Sequence, residues 1–132
     1  SLDESIYGNG SVKYILSEFS NDHLSIAEYK NLQVEHIFAK DPNYDTTPYG
    51  FSDDYDYEKN RIGNLGLLEQ NINSGLGNLP PINKVSGYLT SGITDTQNLA
   101  GVIQKGSFSK INVDNRRQKI IEFCIERFKT DN

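Results

Sequence analysis

Three short stretches decide the fold: residues 34–37 read VEHI, residues 62–68 read IGNLGLL and residues 71–73 read NIN. The first stretch has the alternation of a strand, and Glu35 and His36 stand at its far end. The second is a short apolar run that follows a tight turn, so it predicts a second strand. The third opens a short polar helix. The order strand, strand, helix, with polar groups at each junction, predicts a small β-hairpin followed by a helix.

Helical spacing of apolar residues predicts further helices on both sides of this hairpin. One covers residues 12–19, with Ser11 as its N-cap, and another follows a capping-box pattern that begins at Thr94. The last helix, capped by Asn112, carries an apolar face that includes Val113, Ile120, Cys124 and Phe128. The chain is therefore predicted to be an α+β domain, mostly helical around the hairpin.

The connection between the two strands is long. Residues 41–60 are rich in Asp, Tyr, Gly and Pro, which is typical of a loop. A loop of this length in a small domain is usually functional or mobile, and we expect this one to be mobile. Its acidic residues Asp53, Asp54 and Asp56 are interpreted as a solvated face rather than a cation site.

Length and composition restrict the class of protein. The 132 residues are enough for one domain, so residues 1–132 are interpreted as a single unit. The content of 36% hydrophobic and 23% charged residues excludes wholesale disorder. No apolar run reaches the ~18 residues of a membrane span and no signal peptide opens the chain, so we expect a cytoplasmic protein without a membrane partner. Because the chain has no Met and starts at Ser1, we interpret it as part of a longer protein, with a cloning scar at residues 1–2.

The one cysteine, Cys124, excludes an internal disulfide and a cysteine zinc cluster. Any metal chemistry must then use His, carboxylates and amides, which favours Mg²⁺ or Mn²⁺. The net charge of −5 argues against a free-standing nucleic-acid binder. However, residues 101–132 hold seven basic and four acidic side chains, so one face could still meet phosphate.

The polar residues at the strand ends fit phosphodiester hydrolysis with one metal ion. A histidine such as His36 can deprotonate a water near neutral pH. Glu35 and one asparagine amide can supply the few oxygen ligands that Mg²⁺ takes from protein. The alternatives are structural: His36 could be a buried structural residue, Asn64 a turn residue, and Asn71 or Asn73 a helix cap.

These residues resemble the HNH endonucleases with their ββα-metal motif, and more closely the C-terminal nuclease domain of GmrSD-type modification-dependent restriction enzymes. The resemblance rests on Glu35-His36-Ile37, on residues 63–68 and on residues 73–78. A Lys84…Tyr88 pair and a late helix with Val113, Arg116 and Ile120 extend it over nearly the whole chain.

The resemblance implies a role for each matching position. His36 matches the general base, Glu35 the acidic metal ligand, and Asn64 the motif residue that shapes the loop and orients the histidine. Asn73 matches the last metal ligand, with Asn71 as the alternative. The basic residues Arg61, Lys84, Arg116 and Arg117 are expected to contact DNA.

The resemblance also implies a cofactor and partners. We expect one Mg²⁺ or Mn²⁺ ion, a DNA substrate that is either modified or unmodified, and in the same protein an N-terminal ParB-like NTPase domain that senses modified DNA. Ala39 stands where the family often has Pro. The alternative is therefore a degenerate HNH fold that acts as a non-catalytic DNA-docking or protein-interaction module. A third hypothesis is an RNase.

Overall fold

A computed structural model describes residues 10–129 of the chain. Within this range the elements are two strands and seven α-helices, joined by 3₁₀ turns. In chain order they are α1 (Gly10–Ser20), α2 (Ile26–Lys30), β1 (Leu32–His36), α3 (Tyr55–Glu58), β2 (Leu65–Glu69), α4 (Gln70–Asn73), α5 (Val85–Leu89), α6 (Thr94–Gln104) and α7 (Lys110–Arg127). The domain is thus α+β and mostly helical, as the sequence predicts.

The two strands form an antiparallel hairpin in which His36 pairs with Leu65, Glu35 with Gly66 and Gln33 with Leu68. The Ile37 amide extends the ladder by donating to the Asn64 carbonyl at 2.9 Å. Because successive side chains in a strand point to opposite faces, Gln33 and Glu35 share one face of β1, and His36 belongs to the other.

Both faces of the hairpin are covered by helices. β2 lies between two apolar clusters, since Leu68 belongs to one of them and Leu65 and Leu67 to the other. The Leu68 cluster also contains residues of α5, α6 and the long connection: Ile37, Phe38, Phe51, Leu76, Val85, Tyr88, Leu99, Ala100, Ile103, Phe108 and Val113. The Leu65 cluster also contains Val12, Ile15, Leu16, Leu32, Ile62, Ile93, Ile120 and Cys124, mainly from α1 and α7. Charged groups at the end of the hairpin are therefore partly removed from water.

The turn that leads into β2 packs directly on α7. A Cβ atom added to Gly63 would lie 2.2 Å from the Val113 carbonyl oxygen and 2.7 Å from Cβ of Arg117. Such a contact is impossible without a backbone shift, so only glycine allows this approach. The first glycine of the IGNLGLL stretch, Gly63, is thus required by packing between the hairpin and the last helix.

Three predicted helix starts need correction. Ser11 lies inside α1 rather than at its cap, because the helix already includes Gly10. α7 is capped by Ser109, and Asn112 is the reciprocal partner in that capping box. α6 has Ile93 at its N-cap position; the Thr94 amide donates instead to the Asp22 carboxylate, a partner from a distant loop.

The connection at residues 41–60 contains the 3₁₀ turn Thr47–Tyr49 and helix α3. Its tyrosines pack on the domain: Tyr44, Tyr49 and Tyr55 contact the Leu68 cluster. Tyr44 Oη accepts a hydrogen bond from the Ala39 amide, and Tyr55 Oη donates to the Ala39 carbonyl. The mobility of this segment stays a prediction, but its two ends are tied to the backbone that follows His36.

Across residues 10–129, no helix combines the length and apolar character needed to cross a membrane.

Candidate active site

The His36 side chain lies at the end of β1 and is buried, with 7% of its surface exposed. Its Nε2 atom is 2.9 Å from the Asn60 Oδ1 atom. Since an amide oxygen can only accept, this contact requires a proton on Nε2 and leaves the lone pair of the neutral ring on Nδ1. Asn60 therefore selects one tautomer of the imidazole and fixes the plane of the ring.

The surroundings of His36 favour its neutral form. Burial is the main effect that lowers the pKa of this imidazole, and the nearby ammonium groups of Lys40, Lys84 and Lys59 lower it further. The hydrogen bond to Asn60 raises the pKa but does not reverse the shift. A histidine that is neutral at pH 7 has the protonation state that a general base needs.

Glu35 is the centre of a buried polar network. Its Oε2 atom accepts hydrogen bonds from Lys84 Nζ at 2.9 Å and from Tyr88 Oη at 2.6 Å. The same ammonium donates to the His36 carbonyl at 2.7 Å. Lys84 and Tyr88 are 1% and 0% exposed. Burial, followed by the Glu35 charge, raises the pKa of Tyr88 well above its usual range, so its hydroxyl stays a donor.

Asn64 lies in the turn before β2 and is hydrogen-bonded to the backbone of the loop. Its amide is completely buried and pairs with the Phe38 backbone, accepting from Phe38 N at 2.8 Å and donating to Phe38 O at 2.9 Å. Its other N–H donates to the Lys59 carbonyl at 2.9 Å. Asn64 therefore shapes the loop, but it orients His36 only indirectly, by holding the backbone next to Asn60. The imidazole is hydrogen-bonded to Asn60.

Asn73 is placed on the Glu35 face of the hairpin. Its Nδ2 atom donates to Gln33 Oε1 at 2.9 Å. Gln33 is two residues from Glu35, about 7 Å along the strand, and three residues from His36, about 10 Å. Asn71 lies in the same short helix α4 and is exposed. The structure thus pairs Asn73 with the Glu35 side of the strand rather than with the imidazole.

The donor atoms on this face suit a hard cation. Glu35 Oε1 and Asn73 Oδ1 accept no hydrogen bond from the residues that the structure describes. One carboxylate oxygen and one amide oxygen are the kind of ligands that Mg²⁺ takes from protein, with water and phosphate completing the shell. Within residues 10–129 no group of three or more His, Cys, Asp or Glu is arranged to hold a metal. The two oxygens are of the chemical type that binds a hard ion, and the described residues form no closed metal cage.

Two of the four residues expected to contact DNA make hydrogen bonds within the protein. Lys84 is buried and its ammonium is committed to Glu35 and the His36 carbonyl, so a phosphate has no surface on which to reach it. Arg116 makes two 2.8 Å hydrogen bonds to the Asp95 carboxylate and one to the Leu65 carbonyl. Arg61 and Arg117 are half-buried, and their contact with DNA stays a prediction.

Sequence reasoning missed the role of Asn60 and the part that Lys84 and Tyr88 play at Glu35. Asn60 is 24 positions from His36, in a segment without a motif. The one available signal for the network was the Lys84…Tyr88 spacing of four residues, which places two side chains on one face of a helix. That spacing does not predict that the two residues contact Glu35 of β1.

Residues 2–123 match the family described as GmrSD restriction endonucleases, C-terminal domain. The searches of curated proteins and of solved structures found no match. Because the family match covers most of the 132 residues, the chain belongs to the C-terminal domain family of the GmrSD restriction endonucleases.

Proposed function

We propose that this domain is a metal-dependent HNH-type endonuclease that hydrolyses DNA phosphodiester bonds. The observation that carries the proposal lies at the end of β1: a buried imidazole is held in one tautomer by Asn60, and the preceding residue carries a carboxylate fixed by two donors. Membership in a restriction endonuclease family supports phosphodiester hydrolysis as the chemistry.

In this mechanism His36 is the general base. The Nδ1 lone pair removes a proton from a water molecule as its oxygen attacks phosphorus, and a bond from phosphorus to a bridging oxygen breaks. Asn60 keeps the Nε2–H bond oriented and stabilises the imidazolium that forms, since an amide oxygen is a good acceptor for the more acidic N–H. General-base catalysis by a positioned side chain contributes about 10²–10⁴ to the rate of comparable enzymes.

Glu35 and Asn73 would hold one Mg²⁺ or Mn²⁺ ion. When bound, such an ion supplies charge stabilisation for the phosphate and the leaving oxygen. Asn71 is the alternative ligand. The proposal extends to a larger protein: the domain would act in modification-dependent restriction, together with an N-terminal ParB-like NTPase domain that senses modified DNA.

A second candidate is a non-catalytic DNA-docking or interaction module. The specific observation in its favour is the Lys84 ammonium, which already lies 2.9 Å from the Glu35 carboxylate and balances its charge without a metal. A domain that only docks on DNA needs no metal ligand, so its Glu35 could be neutralised permanently by Lys84.

Nicking of supercoiled plasmid DNA distinguishes the two candidates. The nuclease proposal predicts cleavage with Mg²⁺ or Mn²⁺, loss of cleavage with EDTA, and recovery when the metal is restored. A parallel incubation with single-stranded RNA tests whether RNA is the substrate. Metal-independent cleavage, cleavage of RNA alone, or no cleavage of modified and unmodified DNA at high protein concentration would contradict the proposal.

A further inference from the structure

The most unusual buried feature of the molecule is a lysine that connects two neighbouring residues of the candidate site. Lys84 Nζ lies between the Glu35 carboxylate and the His36 carbonyl, at 2.9 Å and 2.7 Å. A buried ammonium loses its hydration and needs several strong acceptors in exchange. Here the two acceptors belong to consecutive residues, so one cation fixes both the Glu35 side chain and the His36 backbone.

Tyr88 completes the arrangement from the next helical turn. Lys84 ends the 3₁₀ turn Pro81–Lys84, and Tyr88 follows four residues later in α5. Both donate to the same oxygen of Glu35, Oε2. Two donors on one carboxylate oxygen fix the rotation of the carboxyl group, and within the described residues Oε1 remains without a hydrogen bond.

The position of α5 is itself set by close packing. A Cβ atom added to Gly87 would lie 2.8 Å from Leu76 Cδ2, and Leu76 belongs to the segment that follows Asn73. The helix that delivers Tyr88 is therefore in direct contact with the segment that delivers Asn73.

We propose that Lys84 and Tyr88 are positioning residues of the metal site: they hold Glu35 by Oε2 so that Oε1 is presented to a divalent ion, for which Asn73 is the proposed second ligand. This inference rests on the proposed function, because it assigns Glu35 as a metal ligand. Both residues donate to Glu35 and would not themselves be ligands of the ion. In metalloproteins, partners that orient a ligand from behind typically contribute 10–100-fold to metal affinity.

The test is Mn²⁺ affinity, measured on the whole chain by the loss of the free-ion EPR signal, without DNA or turnover. Tyr88→Phe removes one hydroxyl and keeps the ring that packs in the Leu68 cluster. We expect this variant to bind Mn²⁺ about tenfold more weakly than the native chain. Thr96→Val is the matched control, since it also removes one buried hydroxyl, which donates to the Leu67 carbonyl of β2 and not to Glu35.

Lys84→Met separates positioning from simple charge balance. If Lys84 only neutralised Glu35, its removal would expose more negative charge and Mn²⁺ would bind more tightly. Positioning predicts weaker binding, as for Tyr88→Phe. If Lys84→Met does not fold, Tyr88→Phe decides.

Two results would overturn the inference in distinguishable ways. Equal Mn²⁺ affinity of the native chain, Tyr88→Phe and Thr96→Val would reject the positioning role while leaving the proposed nuclease intact. Absence of Mn²⁺ binding by the native chain would reject the metal site and, with it, the metal-dependent function.

Discussion

At the scale of single residues, His36 carries the most specific expectation. Because burial is the main effect lowering its pKa, we expect the imidazole to titrate below the ordinary value of ~6.5. The unfolded chain then binds more protons than the folded one as the pH drops below that value, so the free energy of unfolding should decrease there. NMR titration of the His36 ring protons measures the pKa directly. A value at or above 6.5 would contradict the surroundings described for this side chain.

Asn60 gives a second prediction at this scale. Asn60→Ala removes the acceptor at 2.9 Å from Nε2, so the neutral ring should become a mixture of tautomers. Ring ¹⁵N chemical shifts above the pKa report this change without reference to activity. Losing one hydrogen bond of about 1 kcal/mol predicts a roughly five- to tenfold lower cleavage rate. Asn98→Ala, at an exposed position in α6, is the control; unchanged ¹⁵N shifts in Asn60→Ala would reject the role of Asn60.

At the scale of elements, the contact between the hairpin turn and α7 decides whether the site residues are held in place. Gly63→Ala forces a Cβ atom against the Val113 carbonyl and the Arg117 backbone, so we expect a destabilisation of about 1–3 kcal/mol. Gly101→Ala in α6 is the matched control. A Cβ there meets nothing within 4 Å, and the exchange should stabilise the helix by about 0.5–1 kcal/mol. Urea denaturation measures both; equal stabilities would show that the turn can move away from α7.

The elements also show what the sequence could predict. Both strands and the long last helix were predictable from the sequence. Their buried faces require apolar residues at regular spacing, and this spacing is visible within a short stretch of sequence. The cap of α6 was not, since the predicted capping box is replaced by Asp22, which lies 72 positions from Thr94. The candidate site also combines residues that a local pattern reveals with residues that only distant contacts reveal. Glu35 and His36 were visible as a strand end, whereas Asn60 and the burial of Lys84 depend on contacts between distant segments.

At the scale of the whole molecule, charge limits how the domain meets DNA. The chain carries −5, and Lys84 and Arg116 are committed to protein partners. We therefore expect weak binding to plain duplex DNA, in the range of about 10⁻⁴–10⁻⁶ M typical of non-specific contacts at physiological salt. Fluorescence anisotropy at low and near-physiological salt tests this. Binding tighter than about 1 μM at physiological salt would make the domain an autonomous DNA reader. Weak binding would fit delivery of the DNA by a tethered partner domain.

The most direct test of the central claim is single-turnover cleavage of plasmid DNA by the native chain and by His36→Ala at saturating Mg²⁺. If His36 is the base that activates water, the variant should fold and bind metal but cleave about 10²–10⁴ times more slowly. A His36→Ala variant that cleaves at the native rate would contradict the account.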